Sequence, residues 1–178
     1  IILAKGIPIE ATAIIADKKK NEIEKMFGGK FLNRIMNFIY EPGISVLNAA
    51  KIAVNAGKVN GMHDPTEGGL LGGLWELAFL SKTGFKIFKD RVYIYEESKK
   101  LCSYYNLDPL KIIASGSLII IADKESSENI VNNLNKNNIN AAVIGDVLPE
   151  TEGMTLIDEK NNRITINSSI TDEIGKVL

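Results

Sequence analysis

The feature that most constrains this sequence is a group of glycines at the start of one apolar helical segment. Residues 59–62 form a short apolar run typical of a strand, and from residue 70 to residue 78 apolar residues recur at the spacing of a helix face. The pattern predicts a strand, a polar turn and a helix in that order. Four glycines fall in the first turns of the predicted helix: Gly68, Gly69, Gly72 and Gly73. Together they should cost the helix about 3–4 kcal/mol relative to alanine.

The polar turn before this helix contains a helix-start signal. Asp64 is a favourable N-cap residue, Pro65 suits the first helical position, and Glu67 lies three residues after the cap. This order is similar to a capping box, in which two side chains bond to free backbone N–H groups of the first turn. The capping-box interpretation predicts a helix that begins directly after Asp64.

Two explanations for the glycines stand side by side. A helix that packs closely against a neighbouring element needs residues without side chains at the contact. A ligand that approaches the backbone also needs them, and the positive end of a helix favours an anion such as phosphate. The spacing of the glycines matches neither the Walker loop nor the dinucleotide-binding motif. The residues alone leave packing and anion binding open.

Composition narrows the class of protein. The chain has 178 residues, of which 45% are hydrophobic and 24% charged, enough for one globular domain with its own core. A net charge of −1 gives no electrostatic reason to expect nucleic acid or an anionic membrane as a partner. The longest apolar run is only as long as a strand, so we expect no membrane-spanning helix.

Cysteine and histidine are scarce. The single cysteine, Cys102, excludes an intrachain disulfide framework and is expected to be a small core residue. The single histidine, His63, leaves no Cys/His cluster for a zinc site, so no metal ligands are predicted. These features favour a cytoplasmic protein. The chain opens on Ile1 without an initiating methionine, and we expect it to be part of a longer protein.

Hydrophobic periodicity predicts the remaining elements. Residues 7–16 are rich in β-branched residues and are predicted as a strand of the central sheet, with Pro8 near its start. Further strands are predicted at residues 85–88, 118–122, 140–147, 154–157 and 164–166. Helices are predicted at residues 21–27, 30–40, 44–56, 96–106 and 126–137, with a helical turn after Pro109 and a short final helix capped by Thr171.

This order of elements predicts the fold class. Strands alternate with helices and then follow one another closely, which favours an α+β domain: a layered α/β arrangement with a mixed, largely antiparallel sheet and packed helices. Residues 1–178 show no repeat and no second domain boundary, so one domain is predicted. Ser115 and Gly116 precede a strand predicted to be buried on both faces. They are either a simple turn or a second source of hydrogen-bond donors for the same site.

Three segments together resemble one known family. They are His63-Asp-Pro-Thr-Glu-Gly-Gly-Leu70, Leu107-Asp-Pro-Leu110 with Ala114-Ser-Gly116, and Ala141-Ala-Val-Ile-Gly-Asp-Val147. In this order they resemble the C-terminal domain of aminoimidazole ribonucleotide (AIR) synthase-related proteins, in the PurM-like superfamily. The resemblance spans nearly the whole chain, and Asp-Pro-Thr-x-Gly-Gly is its most specific part. The branch most similar in appearance contains the hydrogenase maturation factor that dehydrates a carbamoyl group with ATP.

The resemblance implies an AIR synthase C-terminal-domain fold and an ATP-dependent activity. The full-length protein should phosphorylate an amide- or carbamoyl-type oxygen of a small-molecule or phosphate-bearing substrate. ATP and Mg²⁺ should be held mainly by an N-terminal domain that this chain lacks, and that domain should also form most of a homodimer. The present chain should cover the cleft as the substrate- or phosphate-facing domain, and should have little or no activity alone.

The resemblance nominates Asp64, Thr66, Gly68 and Gly69, with His63 as a neighbour, and the residue patterns add the other candidate site residues. His63 and Asp64 are the candidate catalytic residues, with His63 either a hydrogen-bonded turn residue or a general base. The candidate substrate- or phosphate-binding residues are Thr66, Glu67, Gly68, Gly69, Ser115 and Gly116. Backbone amides at a helix end suit phosphoryl transfer because they neutralise developing negative charge.

Two departures from the family pattern bear on the substrate. The hydrogenase maturation factor carries its cargo on a cysteine at the extreme C-terminus, whereas this chain ends Ile174-Gly-Lys-Val-Leu178. Glu67 stands where that factor has a basic residue, and a carboxylate repels phosphate unless it caps the helix or meets magnesium. An alternative is a non-catalytic assembly or regulatory module of the same fold that binds a partner or a small anion.

Overall fold

The computed structural model describes residues 1–178 and contains two four-stranded β-sheets with seven α-helices. The strands are β1 (Ile2–Ala4), β2 (Val59–His63), β3 (Thr83–Phe88), β4 (Leu118–Ala122), β5 (Ala141–Val143), β6 (Gly145–Pro149), β7 (Met154–Ile157) and β8 (Arg163–Ile166). The helices are α1 (Glu10–Lys18), α2 (Lys20–Phe27), α3 (Gly29–Met36), α4 (Leu47–Ala56), α5 (Gly69–Ser81), α6 (Glu96–Tyr104) and α7 (Lys124–Lys136). None of these helices has the length and apolar character needed to cross a bilayer.

The first sheet has the strand order β2-β4-β1-β5, and its neighbouring strands are all antiparallel. β4 lies inside this sheet, and its first three residues, Leu118 to Ile120, are buried, as its apolar run predicts. β2 is an edge strand whose last residue, His63, pairs with Ile119. The strand that leads into the glycine-rich turn is therefore anchored to an interior strand of the sheet.

The second sheet has the order β6-β3-β7-β8, in which β3 and β7 are parallel and the other two pairs are antiparallel. The fold is thus α+β with mixed, largely antiparallel pairing, which confirms the predicted class. The strand predicted at residues 140–147 divides at Ile144, whose side chain is fully buried in the core. Its two halves, β5 and β6, belong to different sheets.

Helix α5 lies between the two sheets. One hydrophobic cluster combines buried residues of α5 and of both sheets: Leu70, Leu71 and Leu74 with Leu3, Ile119, Phe85, Ile87 and Leu156. α4 and α7 cover the opposite face of the first sheet through Ala49, Ala53, Ile130 and Leu134. Burial on both sides explains how a helix with several glycines forms, because tertiary packing outweighs weak helix propensity.

The strand predicted at residues 7–16 is wrong, because the chain forms α1 from Glu10 onward. The Thr12 hydroxyl donates to the Pro8 carbonyl oxygen at 2.7 Å, a bond that spans one helical turn. Ile9 and Ile15 of this segment pack in a second cluster, which also holds residues of α2, α3 and α6. The β-branched composition therefore misled the prediction, since helix packing overrides β propensity.

Smaller differences concern element ends. The helical turn predicted after Pro109 is a simple turn closed by the Lys111 N–H. The helix predicted to be capped by Thr171 is the 3-10 turn Ile174–Lys176, and the side chain that bonds to its first N–H is Asp172. The helix predicted at residues 30–40 ends earlier, at the end of α3, and continues as the 3-10 turn Asn37–Ile39. The strands predicted at residues 118–122 and 154–157 have the bounds of β4 and β7, and the other predicted helices and strands are present with shifted ends.

Candidate functional site

The turn between β2 and α5 carries most of the predicted site residues. Pro65 is buried, whereas Asp64, Thr66 and Glu67 are exposed. No side chain caps α5, and the helix begins at Gly69, later than predicted. The predicted capping box is therefore wrong, and both acidic side chains of the turn remain available to solvent.

The backbone of Gly68 and Gly69 redirects the chain from the sheet into the helix. Their φ angles are 76° and 63°, in the left-handed region that glycine enters without steric cost. Two consecutive left-handed residues turn the chain sharply, which places Asp64 and Glu67 outside the helix instead of at its cap. This turn geometry is the physical reason for the failed capping-box prediction.

All four glycines are packed against protein. Gly68, Gly69, Gly72 and Gly73 are buried. A Cβ atom on Gly69 would lie 2.6 Å from the Ile112 carbonyl oxygen, and one on Gly73 would lie 2.9 Å from Cβ of Pro65. Such contacts are closer than a real Cβ tolerates. Of the two explanations for the glycines, close packing accounts for their presence.

Three backbone amides at the start of α5 are already occupied, those of Gly68, Gly69 and Leu71. The Gly68 N–H donates to Oδ2 of Asp172 at 2.8 Å. The Gly69 N–H donates to the Thr66 carbonyl at 3.0 Å, and the Leu71 N–H donates to the Leu110 carbonyl at 3.0 Å. These donors face protein oxygens, so the start of α5 is not an open cradle for phosphate.

Residues 170–174, which we call the C-terminal strap, lie across this turn. Oδ1 of Asp172 accepts a bond from the Ile174 N–H at 2.7 Å, and Oε2 of Glu173 accepts one from the Asp108 N–H at 2.8 Å. Partial burial of Glu173 acts to raise its pKa, but hydrogen bonds from the Asp108 N–H and from Lys176 outweigh burial and hold the pKa below its usual value. The strap thus fixes two carboxylates on backbone amides.

The second predicted segment lies beside the turn. The Ala114 N–H donates to the Thr66 carbonyl at 3.3 Å, which brings Ser115 next to the exposed turn residues. Ser115 is partly exposed, and its hydroxyl makes no hydrogen bond within the chain. Gly116 is buried, and a Cβ atom there would lie 3.0 Å from the Gly43 carbonyl oxygen. We call the exposed or partly exposed group Asp64, Thr66, Glu67 and Ser115 the polar edge.

His63 is held by a partner that the sequence did not reveal. Its Nε2 atom lies 2.9 Å from Oε2 of Glu76, and its Nδ1 atom lies 4.0 Å from Oδ1 of Asp64. The side chain of His63 is 28% exposed, so the imidazole is accessible from the polar edge without being free to rotate. His63 is therefore hydrogen-bonded, and its role as a general base stays a prediction.

Lys5 holds the loop that packs against Gly116. Its Nζ atom donates to the carbonyl oxygens of Gly43 and Ser45, each at 2.8 Å, and to that of Pro42 at 3.3 Å. Burial lowers the pKa of Lys5 below its usual value. The ammonium group therefore fixes the loop at residues 42–45, which in turn covers Gly116.

The sequence analysis missed three residues that support the site, Lys5, Glu76 and Asp172, for different reasons. Lys5 did leave a signal, because it is an isolated charge in an apolar opening segment. Glu76 lies three residues after Gly73 on the same helix face, a spacing that becomes meaningful only when His63 is placed beside it. Asp172 bonds to Gly68 across 104 residues and left no local signal.

Metal-ligating and nucleophilic side chains do not converge elsewhere. No group of three or more His, Cys, Asp or Glu side chains is placed to hold a metal ion. Cys102 is buried, and that burial raises the pKa of its thiol to about 12, so it is a protonated core residue. The polar edge with His63 is therefore the candidate site of the chain.

Comparison with known proteins places the fold in a family. Residues 3–157 match the family model described as AIR synthase related protein, C-terminal domain. A putative hydrogenase expression/formation protein of Methanocaldococcus jannaschii is 30% identical over 181 residues, covering 99% of this chain and 50% of that protein. The carbamoyl dehydratase HypE of Rhizobium leguminosarum bv. viciae is 28% identical over 106 residues, covering 58% of this chain and 30% of that protein. The chain thus spans half or less of these relatives.

Solved structures agree with this placement. The hydrogenase maturation protein HypE in complex with ATP superposes with a TM-score of 0.72 at 18% sequence identity. The match covers 99% of this chain and 52% of that chain. At this level of identity the likeness establishes the fold.

Proposed function

The chain belongs to the AIR synthase-related family as a C-terminal domain, and from this membership we propose that it is the substrate- or phosphate-facing domain of an ATP-dependent enzyme. That enzyme activates an amide- or carbamoyl-type oxygen by phosphorylation. Two relatives support the proposal: one is named a carbamoyl dehydratase, and one was solved in complex with ATP.

The share of the relatives that the chain covers bears on which domain of the full-length protein binds ATP. The chain spans 52% of the ATP-complexed relative. We therefore assign ATP and Mg²⁺ mainly to an N-terminal domain of the full-length protein, which also forms most of a cytoplasmic homodimer. The present chain closes the cleft and has little or no activity by itself.

One observation carries the proposal: the polar edge is exposed while the amides of Gly68, Gly69 and Leu71 bond to protein oxygens. Contacts with a ligand therefore come mainly from side chains. Thr66 and Ser115 supply hydroxyl donors for a phosphate or substrate oxygen. Phosphoryl transfer depends chiefly on such positioning and on stabilising negative charge.

The chemistry of the edge also decides which groups fit it. Free phosphate does not fit the start of α5, because Asp172 already places a carboxylate on the Gly68 N–H. The exposed carboxylates of Asp64 and Glu67 instead suit the N–H groups of an amide, because a carboxylate only accepts hydrogen bonds.

An isotopic experiment tests the proposed reaction. The full-length protein is incubated with ATP and a cysteine peptide S-carbamoylated with ¹⁸O, and ¹⁸O-acetamide serves as a second probe. If the carbamoyl or amide oxygen is phosphorylated and then eliminated, the label is recovered in inorganic phosphate. Phosphate that takes its new oxygen only from water, with both probes, overturns the proposal.

A non-catalytic assembly or regulatory module is the second candidate. The bond between Gly68 and Asp172 favours it, because the chain itself supplies the anion at the start of α5. ATP turnover by the full-length protein decides between the two candidates. A full-length protein that neither hydrolyses nor binds ATP supports the module.

A further inference from the structure

The imidazole of His63 lies in a fixed position on the surface of α5. His63 is the last residue of β2, and its chain is anchored by the pairing with Ile119. A Cβ atom on Gly73 would lie 3.1 Å from Cδ2 of His63 and 2.9 Å from Cβ of Pro65. The absence of a side chain at Gly73 therefore makes room for the histidine ring against the helix.

Glu76 meets this ring one helical turn further along. The distance from Nε2 of His63 to Oε2 of Glu76 is 2.9 Å, a hydrogen-bond distance. The other ring nitrogen, Nδ1, lies 4.0 Å from the nearest carboxylate oxygen of Asp64, which is too far for a hydrogen bond. The two carboxylates that flank the ring are thus unequal partners.

This inequality decides which nitrogen carries the proton of the neutral ring. A neutral imidazole has one N–H donor and one acceptor nitrogen, and a carboxylate only accepts. The close contact with Glu76 therefore requires the hydrogen on Nε2. The lone pair is then on Nδ1, on the side of the ring that faces Asp64.

We propose that Glu76 is a positioning residue that holds His63 in the Nε2-protonated tautomer and leaves Nδ1 as an acceptor at the polar edge. Nδ1 and the Asp64 carboxylate then form a pair of neighbouring acceptors, which suits a ligand with N–H donors such as a primary amide. The use of this pair in turnover rests on the function proposed above, whereas the tautomer does not.

Nitrogen-15 NMR of the 178-residue chain tests the tautomer directly, because His63 is its single histidine. In the spectrum of the neutral ring, we expect the Nε2-protonated pattern. Glu76→Lys should shift the ring toward the Nδ1-protonated form, since an ammonium group only donates and Nε2 must then accept. Asp64→Asn and the matched surface control Glu125→Lys should leave the pattern unchanged. A wild-type ring protonated on Nδ1, or an unchanged pattern in Glu76→Lys, overturns the proposal.

The second readout is turnover by the full-length protein. Glu76→Lys should reduce kcat by about tenfold or more while KM for ATP is unchanged, because the acceptor nitrogen Nδ1 is lost and the nucleotide site is not. A shifted tautomer with full kcat overturns the role of Nδ1 in turnover. Absence of ATP turnover in the parent protein counts against the proposed function alone, because the NMR result does not depend on ATP.

Discussion

The carboxylate of Asp172 accepts a hydrogen bond from the backbone N–H of Gly68 at 2.8 Å, and this bond links the two ends of the site region. The same carboxylate, through its other oxygen, also accepts from the Ile174 N–H. The positive start of α5 is therefore neutralised from within the chain. The C-terminal strap is part of the site's scaffold.

Replacing Asp172 should loosen the strap. We expect Asp172→Asn to lower the free energy of unfolding by about 1–2 kcal/mol, because a charge-assisted bond at a helix start becomes a neutral one. Urea unfolding measures the change. The control is Asp90→Asn, an exposed carboxylate in the turn Lys89–Arg91, which should have little effect. Equal stability of the two variants would show that the bond to Gly68 contributes nothing.

Replacing Gly69 should damage the fold, because a side chain there meets both strain and overlap. Its φ is 63°, and an added Cβ would lie 2.6 Å from the Ile112 carbonyl oxygen. We expect Gly69→Ala to cost about 3 kcal/mol or more. Gly153 has a φ of 62° but nothing within 4 Å of an added Cβ, so Gly153→Ala should cost only about 1 kcal/mol. Similar urea midpoints for the two variants would contradict the packing explanation.

Replacing Thr66 should affect function without affecting the fold. The Thr66 side chain is exposed, whereas its carbonyl oxygen makes the structural bonds to Gly69 and Ala114. We expect Thr66→Ala in the full-length protein to reduce ATP turnover by roughly 10- to 100-fold through loss of a hydroxyl donor. The control is Thr151→Ala, an exposed threonine in the turn Glu150–Glu152. Unchanged turnover in Thr66→Ala would remove this residue from the site.

Replacing Lys5 should change both stability and its dependence on pH. Lys5→Met removes the bonds to the loop at residues 42–45, so we expect a loss of about 1–3 kcal/mol. Burial lowers the pKa of Lys5, so between its folded and unfolded pKa values the unfolded chain binds more protons than the folded chain. The stability of the wild type should therefore rise with pH through that alkaline range relative to Lys5→Met.

Urea unfolding at a series of alkaline pH values measures this difference. Lys51→Met removes an exposed lysine of α4 that forms no ion pair, and its pH curve should run parallel to that of the wild type. If the curve of Lys5→Met also runs parallel to that of the wild type, the burial of the Lys5 ammonium has no consequence for stability.

The sequence predicted those features of the fold that depend on local periodicity. β2, β4 and α7 were predictable because the apolar residues of each segment have the spacing of a strand or of a helix. The fold class followed from the order of the elements along the chain. α1 was not, because its alanines, isoleucines and threonine are compatible with a strand until they are packed against neighbouring helices. The division between β5 and β6 depends on a sheet that the local sequence cannot specify.

The site was predictable only in part, for a related reason. The turn predicted from the motifs is exposed and lies beside Ala114 and Ser115. The start of α5 was misplaced because Asp172, not a neighbouring side chain, satisfies the Gly68 amide. The partner of His63 was missed because β2 and α5 meet only after folding.

The inward-facing glycines separate the architecture of the turn from its chemistry. The buried backbone at Gly68 and Gly69 sets the shape of the turn. The exposed side chains of Asp64, Thr66 and Glu67 therefore contribute little to its stability. A library randomised at those three positions should therefore yield mostly folded proteins that differ in what they bind. Such a turn is well suited to acquiring new ligands while its scaffold is held fixed.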